Sequence, residues 1–338
     1  MIDNFYIKSF QSFTKETWDE ILISFKANIS YTYWYLDYIE TLNFENDIVN
    51  KSFVIESQGF IRAIVPCFVE TVRKVNQISA GQEPIPAAIF NPKNSVKEKE
   101  FLEMLVINEV NKIASKYECI LARFAFPPVL VFKCSDNFYL KHNYTDRVIF
   151  PRWYIFSAKS NFLIHLNSSV DNLKAKFRSR FKNYISKTSK KCTTIILDQK
   201  TFDQSTFLDY VDAYYEIKGK KRSIESFKKD RLGIIEGFEV IFLCLLENKI
   251  IGAIAIHQYS NLARYNSSMR IEKITDKIYP IHFLMSKVIE YLVDNECLLF
   301  DIGENSNSNN EKFKGLSFFK SGWGGIESPN LMAERKFK

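Results

Sequence analysis

Long apolar runs are missing from this chain of 338 residues. The longest charge-free candidate, 250–263, is interrupted by Gly252, His257 and Asn261, and it is shorter than the roughly 18 to 20 residues that a spanning helix needs. The first residues also lack the basic stretch and apolar run that mark an export signal. We therefore expect no transmembrane segment and a cytoplasmic protein.

Clustered metal ligands and several catalytic signatures are missing as well. The six cysteines include no CxxC pair, and the four histidines are dispersed without an HExxH motif. The sequence has no GxxxxGK[ST] phosphate-binding loop and no GxSxG nucleophile elbow. These absences exclude P-loop nucleotide hydrolases and α/β serine hydrolases. They also predict reduced, structural cysteines and no bound metal.

The composition is that of an ordinary globular protein, with 46% apolar and 25% charged residues. A chain of this length exceeds one ordinary hydrophobic core, so two domains are expected. Pro127, Pro128 and the polar stretch that ends near Pro151 indicate a boundary. The predicted domains are therefore 1–155 and 156–338.

Hydrophobic periodicity places a similar order of elements in both halves of the chain. In the first half, a hairpin at 53–69 and a helix at 96–116 precede a short strand. In the second half, a hairpin at 240–258 and a helix at 281–293 precede an apolar strand at 297–302. The sequence thus predicts an α/β fold of two domains, each with a mixed, mostly antiparallel sheet flanked by helices.

The net charge of +7 is concentrated in the segment 171–191, which has eight basic residues and one acidic residue. Elsewhere, 38 basic residues are matched by 38 acidic ones. A second basic cluster lies at 218–231. Such clusters are compatible with a solvated helix face, and they are also typical of a surface that attracts phosphates.

The basic segment is predicted to be helical over 169–187. Its apolar residues Leu173, Phe177 and Phe181 recur at helical spacing and form one face. The pattern that begins at Ser168 is typical of a capped helix start. The apolar face is expected to pack inside the domain, while the basic face meets solvent or a ligand.

Three short stretches near the end of the chain occur in a recognisable order: FDIGE at 300–304, KFKG at 312–315 and FKSGWGG at 319–325. Together they resemble the C-terminal signature of Fem-type and related GNAT-fold acyltransferases. The basic segment at 174–191 is similar to the segment that opens the second GNAT-like domain in that family. The stretch ENKIIGAIAI at 247–256 resembles the central GNAT strands.

This resemblance covers 160–326 by motif and the first 155 residues by the order of elements. It implies two tandem GNAT-like domains and the transfer of an acyl or aminoacyl group to an amine. The glycine-rich pyrophosphate turn of GNAT proteins would fall at 270–274, where this chain has no glycine. Both acyl-CoA and the aminoacyl-tRNA donors of the Fem-type branch are therefore candidates.

An attacking amine must be neutral, and an amine with a pKa near 7.7 to 8.0 is neutral for roughly a tenth of its population at pH 7. Such an amine needs only a weak base, for which Asp301 and Glu304 are the candidates. Lys320 is the candidate that stabilises the developing oxyanion. The alternatives are a turn acceptor before Gly303 for Asp301 and a solvated surface lysine for Lys320.

The remaining candidate residues are assigned to binding. The basic helix would meet substrate phosphates, and the strand after the second hairpin would face the same cleft. Trp323 is also typical of a lid or a core plug, and a plain sheet would give the same strand residues. The candidate substrate-binding residues are Arg178, Arg180, Lys182, Tyr265, Ser267 and Trp323. The candidate cofactor-binding residues are Arg270 and Lys314.

The leading hypothesis is an N-acyltransferase that uses acyl-CoA, with acetyl-CoA favoured, to acylate an amine of a sugar or glycan precursor in bacterial cell-surface polysaccharide synthesis. The expected partner is an amino sugar or a nucleotide- or lipid-linked glycan precursor. One alternative is an aminoacyl-tRNA-dependent Fem-type transferase that acts on a peptidoglycan or lipid precursor. Another is a non-catalytic RNA-binding protein. Peripheral membrane contact through the basic helix is also open.

Overall fold

The computed structural model describes residues 4–25, 27–41, 47–81, 84–125, 155–219, 222–271, 277–305 and 311–337. The chain divides into two compact units. The N-terminal unit comprises Met1–Lys159 together with Ser328–Lys338, and the C-terminal unit comprises Ser160–Glu327. The predicted boundary segment 127–151 lies outside the described residues.

The N-terminal unit contains three α-helices and a series of short strands in the part of the chain that is described. In chain order these elements are β1 (Phe5–Ser9), α1 (Lys15–Phe25), α2 (Tyr33–Ile39), β2 (Ile48–Asn50), β3 (Phe53–Ser57), β4 (Phe60–Val65), β5 (Phe68–Val72), β6 (Val75–Ile78), β7 (Ile85–Pro86), β8 (Ile89–Phe90), α3 (Val96–Lys116) and β9 (Leu121–Ala125).

The C-terminal unit and the return of the chain follow. The elements are β10 (Ile155–His165), α4 (Val170–Ala175), α5 (Ser179–Ser189), β11 (Cys192–Leu197), α6 (Gln204–Lys218), α7 (Ile224–Ile235), β12 (Glu239–Leu246), β13 (Lys249–Tyr259), β14 (Leu262–Arg270), α8 (Pro280–Asp294), β15 (Leu299–Asn305), α9 (Glu311–Lys320) and β16 (Ile326–Lys336).

The N-terminal unit has an antiparallel sheet of order β1-β3-β4-β8, and β9 pairs with β6 and β16 in a second set of strands. The helix predicted at 96–116 is confirmed as α3. Ser95 caps its start in a capping box with Glu98, which explains why the helix begins there. Trp18 and Leu22 of α1 and Leu102 of α3 are buried in the same core.

The strands of the C-terminal unit have the order β11-β12-β13-β14-β15-β10. All neighbours are antiparallel except β14 and β15, which are parallel. Alternation along β12 divides the core, because Phe242 and Cys244 pack with α8 while Ile241 and Leu243 pack with α6 and α7. The mixed, mostly antiparallel sheet with helices on both faces confirms the predicted fold class.

The hairpin predicted at 240–258 is confirmed as β12 and β13. Its turn contains Glu247 and Asn248 with φ of 50° and 65°, a left-handed conformation that asparagine adopts more readily than most residues. The predicted strand at 297–302 is β15, and the predicted helix at 281–293 is α8. Pro280 begins α8 at the position where a proline needs no hydrogen bond.

The helix predicted over 169–187 is two helices, α4 and α5. Ser169, and not Ser168, caps α4, since its side chain accepts from the backbone N–H of Asn172. The chain is extended at Arg178, whose backbone N–H donates to the carbonyl oxygen of Gly322 at 3.0 Å. This contact with a distant segment breaks the helix, although the local spacing of apolar residues is continuous.

The predicted C-terminal domain of 156–338 also requires a correction. The end of β16, Met332–Lys336, pairs antiparallel with β9 and so belongs to the N-terminal unit. Arg123 Nε donates to Glu334 Oε2 at 3.0 Å and reinforces this pairing. The two residues are 211 positions apart, and hydrophobic alternation along one strand does not reveal a partner at that distance.

Five free cysteines lie buried in the described residues, and Cys134 lies outside them. Burial raises the pKa of Cys119 and Cys297 to about 11, so these thiols stay protonated at neutral pH. Over the described ranges, no three histidine, cysteine or acidic side chains are grouped to hold a metal ion. Within the same ranges, no helix combines the length and the apolarity needed to cross a bilayer. The free cysteines are Cys67, Cys119, Cys192, Cys244 and Cys297.

Trp323 is part of the core of the C-terminal unit. It is only 1% exposed, and its ring centroid lies 5.1 Å from that of Phe177 and 5.0 Å from that of Phe181. Phe319 is also in contact, at 5.5 Å between centroids. Buried aromatic groups of this kind contribute through area and through edge-to-face geometry. The prediction of a substrate-binding Trp323 is therefore wrong, because its ring holds α5 against the motif at 319–325.

The glycines of that motif allow close packing. A Cβ atom on Gly322 would overlap the ring of Phe181, and one on Gly325 would lie 2.8 Å from the carbonyl oxygen of Leu163 on β10. Gly324 has a φ of 76°, which favours glycine. The glycines of the motif at 319–325 thus allow α5 and β10 to pack closely against this motif.

We predict that Gly322→Ala lowers the free energy of unfolding by about 1 to 3 kcal/mol, because the new methyl group overpacks the core at Phe181. Gly315→Ala is the matched control, since a Cβ added at Gly315 would have no neighbour within 4 Å and the residue is exposed on α9. Urea unfolding followed by circular dichroism measures both. Equal stability of Gly322→Ala and the unsubstituted protein would contradict the packing role.

Candidate active site

The parallel strands β14 and β15 pair over only a short length. Their register joins Leu262–Arg264 to Leu299–Asp301, and after these residues the two strands separate. β14 continues to Arg270 and stays paired with β13, while β15 continues to Asn305 and stays paired with β10. Beyond Arg264 the facing edges of β14 and β15 therefore have no strand partner within the described residues. We call this gap the opening.

The corresponding place in the N-terminal unit is filled. β6 and β9 are also parallel and pair over Gln77–Ile78 and Leu121–Ala122. After these residues β7 takes the place of β6, with Ile85 opposite Phe124. The backbone N–H of Ala87 then donates to the carbonyl oxygen of Ala125 at 2.9 Å. Because β7 supplies the missing partner, the opening of the C-terminal unit is the better candidate for a ligand site.

Asp301 lies on β15 where the two strands separate. Its carboxylate accepts two hydrogen bonds from Asn161 Nδ2, at 3.1 and 2.9 Å, and one from the backbone N–H of Gly303, at 2.7 Å. The predicted alternative of a turn acceptor before Gly303 is thus part of its role. The same bonds fix the carboxylate in one orientation, which a positioned base also requires.

Lys320 ends α9 and reaches the same place. Its Nζ donates to the carbonyl oxygen of Glu304 at 2.7 Å and would lie 3.2 Å from a Cβ on Gly303. Burial lowers the pKa of Lys320, and the carboxylates of Asp301 and Glu304 act against that effect. The structure therefore brings together the three residues predicted as catalytic, with Glu304 contacting Lys320 through its backbone.

Two of the three predicted phosphate ligands have structural partners instead. Arg178 donates to the carbonyl oxygen of Phe318 at 2.6 Å and to Ser321 Oγ at 2.8 Å. Lys182 Nζ donates to the carbonyl oxygen of Ala175 at 2.8 Å, at the end of α4. Arg178 ties α5 to the segment after α9, so its assignment as a substrate-binding residue needs correction.

The second basic cluster is also used within the fold. Arg222 Nη2 donates to Asp230 Oδ1 at 2.7 Å in a salt bridge that is buried on the aspartate side. Lys228 pairs with Glu225 at 2.6 Å on the surface of α7. Residues 220–221 lie outside the described ranges. Arg222 and Lys228 of the cluster at 218–231 are therefore paired with acidic residues of α7.

Arg180 and Arg270 converge on the first turn of α8. Arg180 Nε donates to the hydroxyl of Tyr184, whose ring stacks on that of Tyr279 with centroids 3.6 Å apart. His282 lies 5.0 Å from Tyr184, centroid to centroid. Burial, followed by the charges of Arg270 and Arg180, lowers the pKa of His282 to about 4. His282 is thus neutral at pH 7 beside two cations.

No side chain caps the first turn of α8. The preceding residue, Tyr279, donates its backbone N–H to Thr188 Oγ1 at 2.9 Å. Gly252 on β13 lets the helix approach, since a Cβ there would lie 2.8 Å from Pro280 Cβ. Backbone N–H groups at a helix start and two nearby arginines favour a phosphate.

The other predicted binding residues lie in different surroundings. Tyr265 is partly buried and packs against the core on the α8 side of the sheet, and burial raises its pKa to about 12, so its hydroxyl stays protonated at neutral pH. Ser267 is half-buried on β14 beyond the short parallel pairing, opposite Ala255 on β13. Lys314 is exposed on α9, and Arg270 is exposed at the end of β14. Their assignment to cofactor binding stays a prediction.

Sequence reasoning missed Asn161, His282 and the stacked pair of Tyr184 and Tyr279. Asn161 is 4% exposed on β10, a strand that the sequence analysis did not predict. A buried asparagine requires a hydrogen-bond partner, but only the pairing of β10 with β15 brings Asp301 within reach of Asn161. His282 was signalled by its place directly after the start of a helix.

No protein-family model matches the sequence, and no curated protein matches it significantly. Solved structures do resemble it. FemX has a TM-score of 0.61 and 13% identity over 96% of each chain. L-PGS from Bacillus licheniformis has a TM-score of 0.57 and 13% identity over 96% of this chain and 93% of its own.

A tandem GNAT protein from the clavulanic acid biosynthesis pathway has a TM-score of 0.50 and 7% identity over 99% of this chain and 100% of its own. At such low identity these likenesses establish the fold. They confirm the predicted resemblance at that level: the chain has the tandem GNAT fold that Fem-type and related proteins share.

Proposed function

We propose that this protein is an acyltransferase that binds an acyl donor in the opening of the C-terminal unit and transfers the acyl group to an amine. The observation that carries the proposal is the separation of β14 from β15 beside Asp301 and Lys320. The resemblance of the sequence motifs to the Fem-type and GNAT acyltransferases and the shared fold support it. A carbonyl group in the opening would meet backbone groups of β14, a carboxylate and an ammonium.

Asp301 would take up the proton released by the amine, and Lys320 would stabilise the negative charge that forms on the carbonyl oxygen. The amine nitrogen attacks the carbonyl carbon, a C–N bond forms, and the bond from that carbon to the leaving sulfur or oxygen breaks. Asp301 accepts the proton that the amine loses and returns it to the leaving group. The ammonium of Lys320 stabilises the negative charge on the carbonyl oxygen in the tetrahedral intermediate. Asn161 holds the carboxylate of Asp301 and is a positioning residue.

Arg180, Arg270 and the start of α8 would bind the phosphates of the donor. Acyl-CoA and aminoacyl-tRNA both present phosphates and an adenine, so the same cations and the Tyr184–Tyr279 stack suit either donor. The absence of glycine at 270–274 and the fold likeness to FemX and L-PGS favour aminoacyl-tRNA at least as well as acetyl-CoA. We keep an amino sugar on a glycan precursor as the proposed acceptor, with a peptidoglycan or lipid precursor as the acceptor in the aminoacyl case.

A thermal-shift experiment separates the donors. The full chain is melted with acetyl-CoA, with deacylated tRNA and with an amino-sugar nucleotide, each far above the concentration expected for its dissociation constant. Binding to the folded state raises the melting temperature. A shift with acetyl-CoA alone supports the acyl-CoA reaction, and a shift with tRNA supports the aminoacyl reaction. No shift with either donor contradicts the proposed function.

Arg180→Ala combined with Arg270→Ala should weaken donor binding by about tenfold or more, because two charge-assisted contacts to phosphate are removed. Lys182→Ala is the matched control, since Lys182 is exposed on the same helix but donates to Ala175. Calorimetric titration with the donor identified by the thermal-shift experiment measures the affinity of the double variant, the control variant and the unsubstituted protein. Equal affinity for the double variant and the control would show that the phosphates bind elsewhere.

The same double variant should raise the pKa of His282. Both arginines disfavour the imidazolium, so removing them raises the pKa from about 4, and it stays below 6.5 because burial is the larger cause. A titration of the imidazole signals by NMR measures this shift. An unchanged value would mean that Arg180 and Arg270 do not act on the first turn of α8.

Asp301→Asn should lower the turnover number by about 100-fold or more, because the amide cannot take the proton. Its melting temperature should change little, since the amide oxygen still accepts from Gly303. Asp203→Asn is the control, because Asp203 also accepts a backbone N–H, at Thr206, but caps α6. Unchanged turnover with a large loss of stability would assign Asp301 to the fold alone.

A further inference from the structure

Glu239 begins β12 and is completely buried, with 0% of its surface exposed. Neither oxygen of its carboxyl group has a hydrogen-bond partner among the described residues. An ionised carboxylate in such a place would carry the full free-energy cost of leaving water, because no donor compensates for it. The protonated, neutral form of Glu239 avoids most of this cost.

The side chain of Glu239 lies on the face of the sheet that α6 and α7 cover. Ile241, two positions along β12, packs in the same core as Phe227 of α7, and side chains two positions apart on a strand share a face. Asp230 of α7 is also 0% exposed. Burial and the charge of Asp230 raise the pKa of Glu239 well above its ordinary value. Two buried carboxyl groups therefore meet where α7 packs on β12.

Arg222, just before α7, is the cation beside these two carboxyl groups. Its Nη2 donates to Asp230 Oδ1 at 2.7 Å, and its Nε donates to Ser226 Oγ at 2.9 Å. With Asp230 and Glu239 both ionised, the three charged side chains would leave one uncompensated negative charge in the core. With Glu239 protonated, the charges of Arg222 and Asp230 cancel. Like charges this close, away from water, favour keeping one carboxyl group neutral.

The other ionisable groups that face Glu239 within the described ranges are neutral at pH 7. His257 is opposite Glu239 on β13, and burial, followed by the charges of Arg264 and Arg222, lowers its pKa to about 3. Tyr210 of α6 is 2% exposed, and burial raises its pKa. Arg264 is exposed on β14, where it is opposite His257. The neutral imidazole of His257 therefore lies between Arg264 and Glu239.

We propose that Glu239 is protonated in the folded protein and that this proton holds α7 on the sheet, so that α7 loosens as the pH rises. Loss of the proton would place a second negative charge beside Asp230, and both repulsion and burial would then favour opening of the contact between α7 and β12. Because α7 supplies Phe227 and Ile234 to the core, its release would expose part of that core. This proposal does not depend on the proposed acyl transfer.

Urea unfolding at pH 5, 6, 7 and 8 tests the proposal with Glu239→Gln, since glutamine has the shape of the neutral acid and no proton to lose. An unfolded glutamate has a pKa of about 4.3. Above that pH, unfolding releases the proton that folded Glu239 keeps, so the stability of the unsubstituted protein falls as the pH rises. Its unfolding constant, divided by that of the variant, should increase by up to about tenfold per pH unit until the folded-state pKa is reached. His257 contributes to both proteins alike and cancels in this ratio.

Glu247→Gln is the matched control, because Glu247 is exposed in the turn at the other end of β12. It should follow the unsubstituted protein at every pH. Hydrogen exchange at pH 8 then locates the effect. The backbone amides of α7 should exchange faster in the unsubstituted protein and in the control than in Glu239→Gln, whereas those of α8 should exchange alike in all three.

A ratio of unfolding constants that is independent of pH would overturn the proposal. So would a Glu239→Gln variant that is less stable than the unsubstituted protein at pH 8, because an ionised Glu239 would then stabilise the fold. Equal exchange of α7 in both proteins would overturn the role of the proton in holding this helix. If the variant does not fold, NMR of the assigned Glu239 carboxyl carbon in the unsubstituted protein decides instead: a protonated group at pH 7 supports the proposal, and an ionised group contradicts it.

Discussion

The separation of β14 from β15 leaves a length of backbone without its strand partner. Backbone N–H and C=O groups that lose a partner away from water carry a free-energy cost, so a fold that keeps such an edge has a use for it. Here the strands pair over three positions only. The residues predicted to do the chemistry, Asp301 and Lys320, lie where the pairing ends. In the N-terminal unit β7 supplies the partner of β9 at the corresponding place.

Local partners use much of the positive charge that the sequence displays. Arg178 binds Phe318 and Ser321, Arg222 binds a buried aspartate, and Lys174 binds Glu290 at 2.7 Å. The cations left for a ligand near the opening are fewer than the count suggests, and Arg180 with Arg270 are the pair that acts on α8. The exposed lysines of the same segment face solvent.

Much of the C-terminal unit could be predicted from the sequence because its signals are local. Alternation and a turn at Glu247 and Asn248 identify β12 and β13, and the motif at 319–325 identifies the family of folds. The site could be predicted only in part. Asp301, Glu304 and Lys320 were predicted as catalytic candidates from the chemistry that acyl transfer needs, and that role stays a prediction. Asn161 was not predicted, since it contacts Asp301 across 140 residues.

The errors have the same physical origin. Trp323 between glycines is compatible with a binding residue or with a core plug, and contacts with Phe177, which precedes α5, and with Phe181 of α5 bury it. The basic helix reads as continuous, but the bond from Arg178 to Gly322 breaks it. The end of the chain reads as part of the second domain, but β16 pairs with β9. Each depends on a contact between segments far apart in the sequence, which periodicity and spacing do not encode.

Hydrogen exchange with and without the bound donor tests the central claim most directly. If the donor occupies the opening, the backbone amides of 265–270 on β14 and of the first turn of α8 should become protected when it binds. Those of Ile85 and of Leu121–Ala125 in the N-terminal unit should not change. Protection confined to the N-terminal unit, or binding with no protection of β14, would contradict the account.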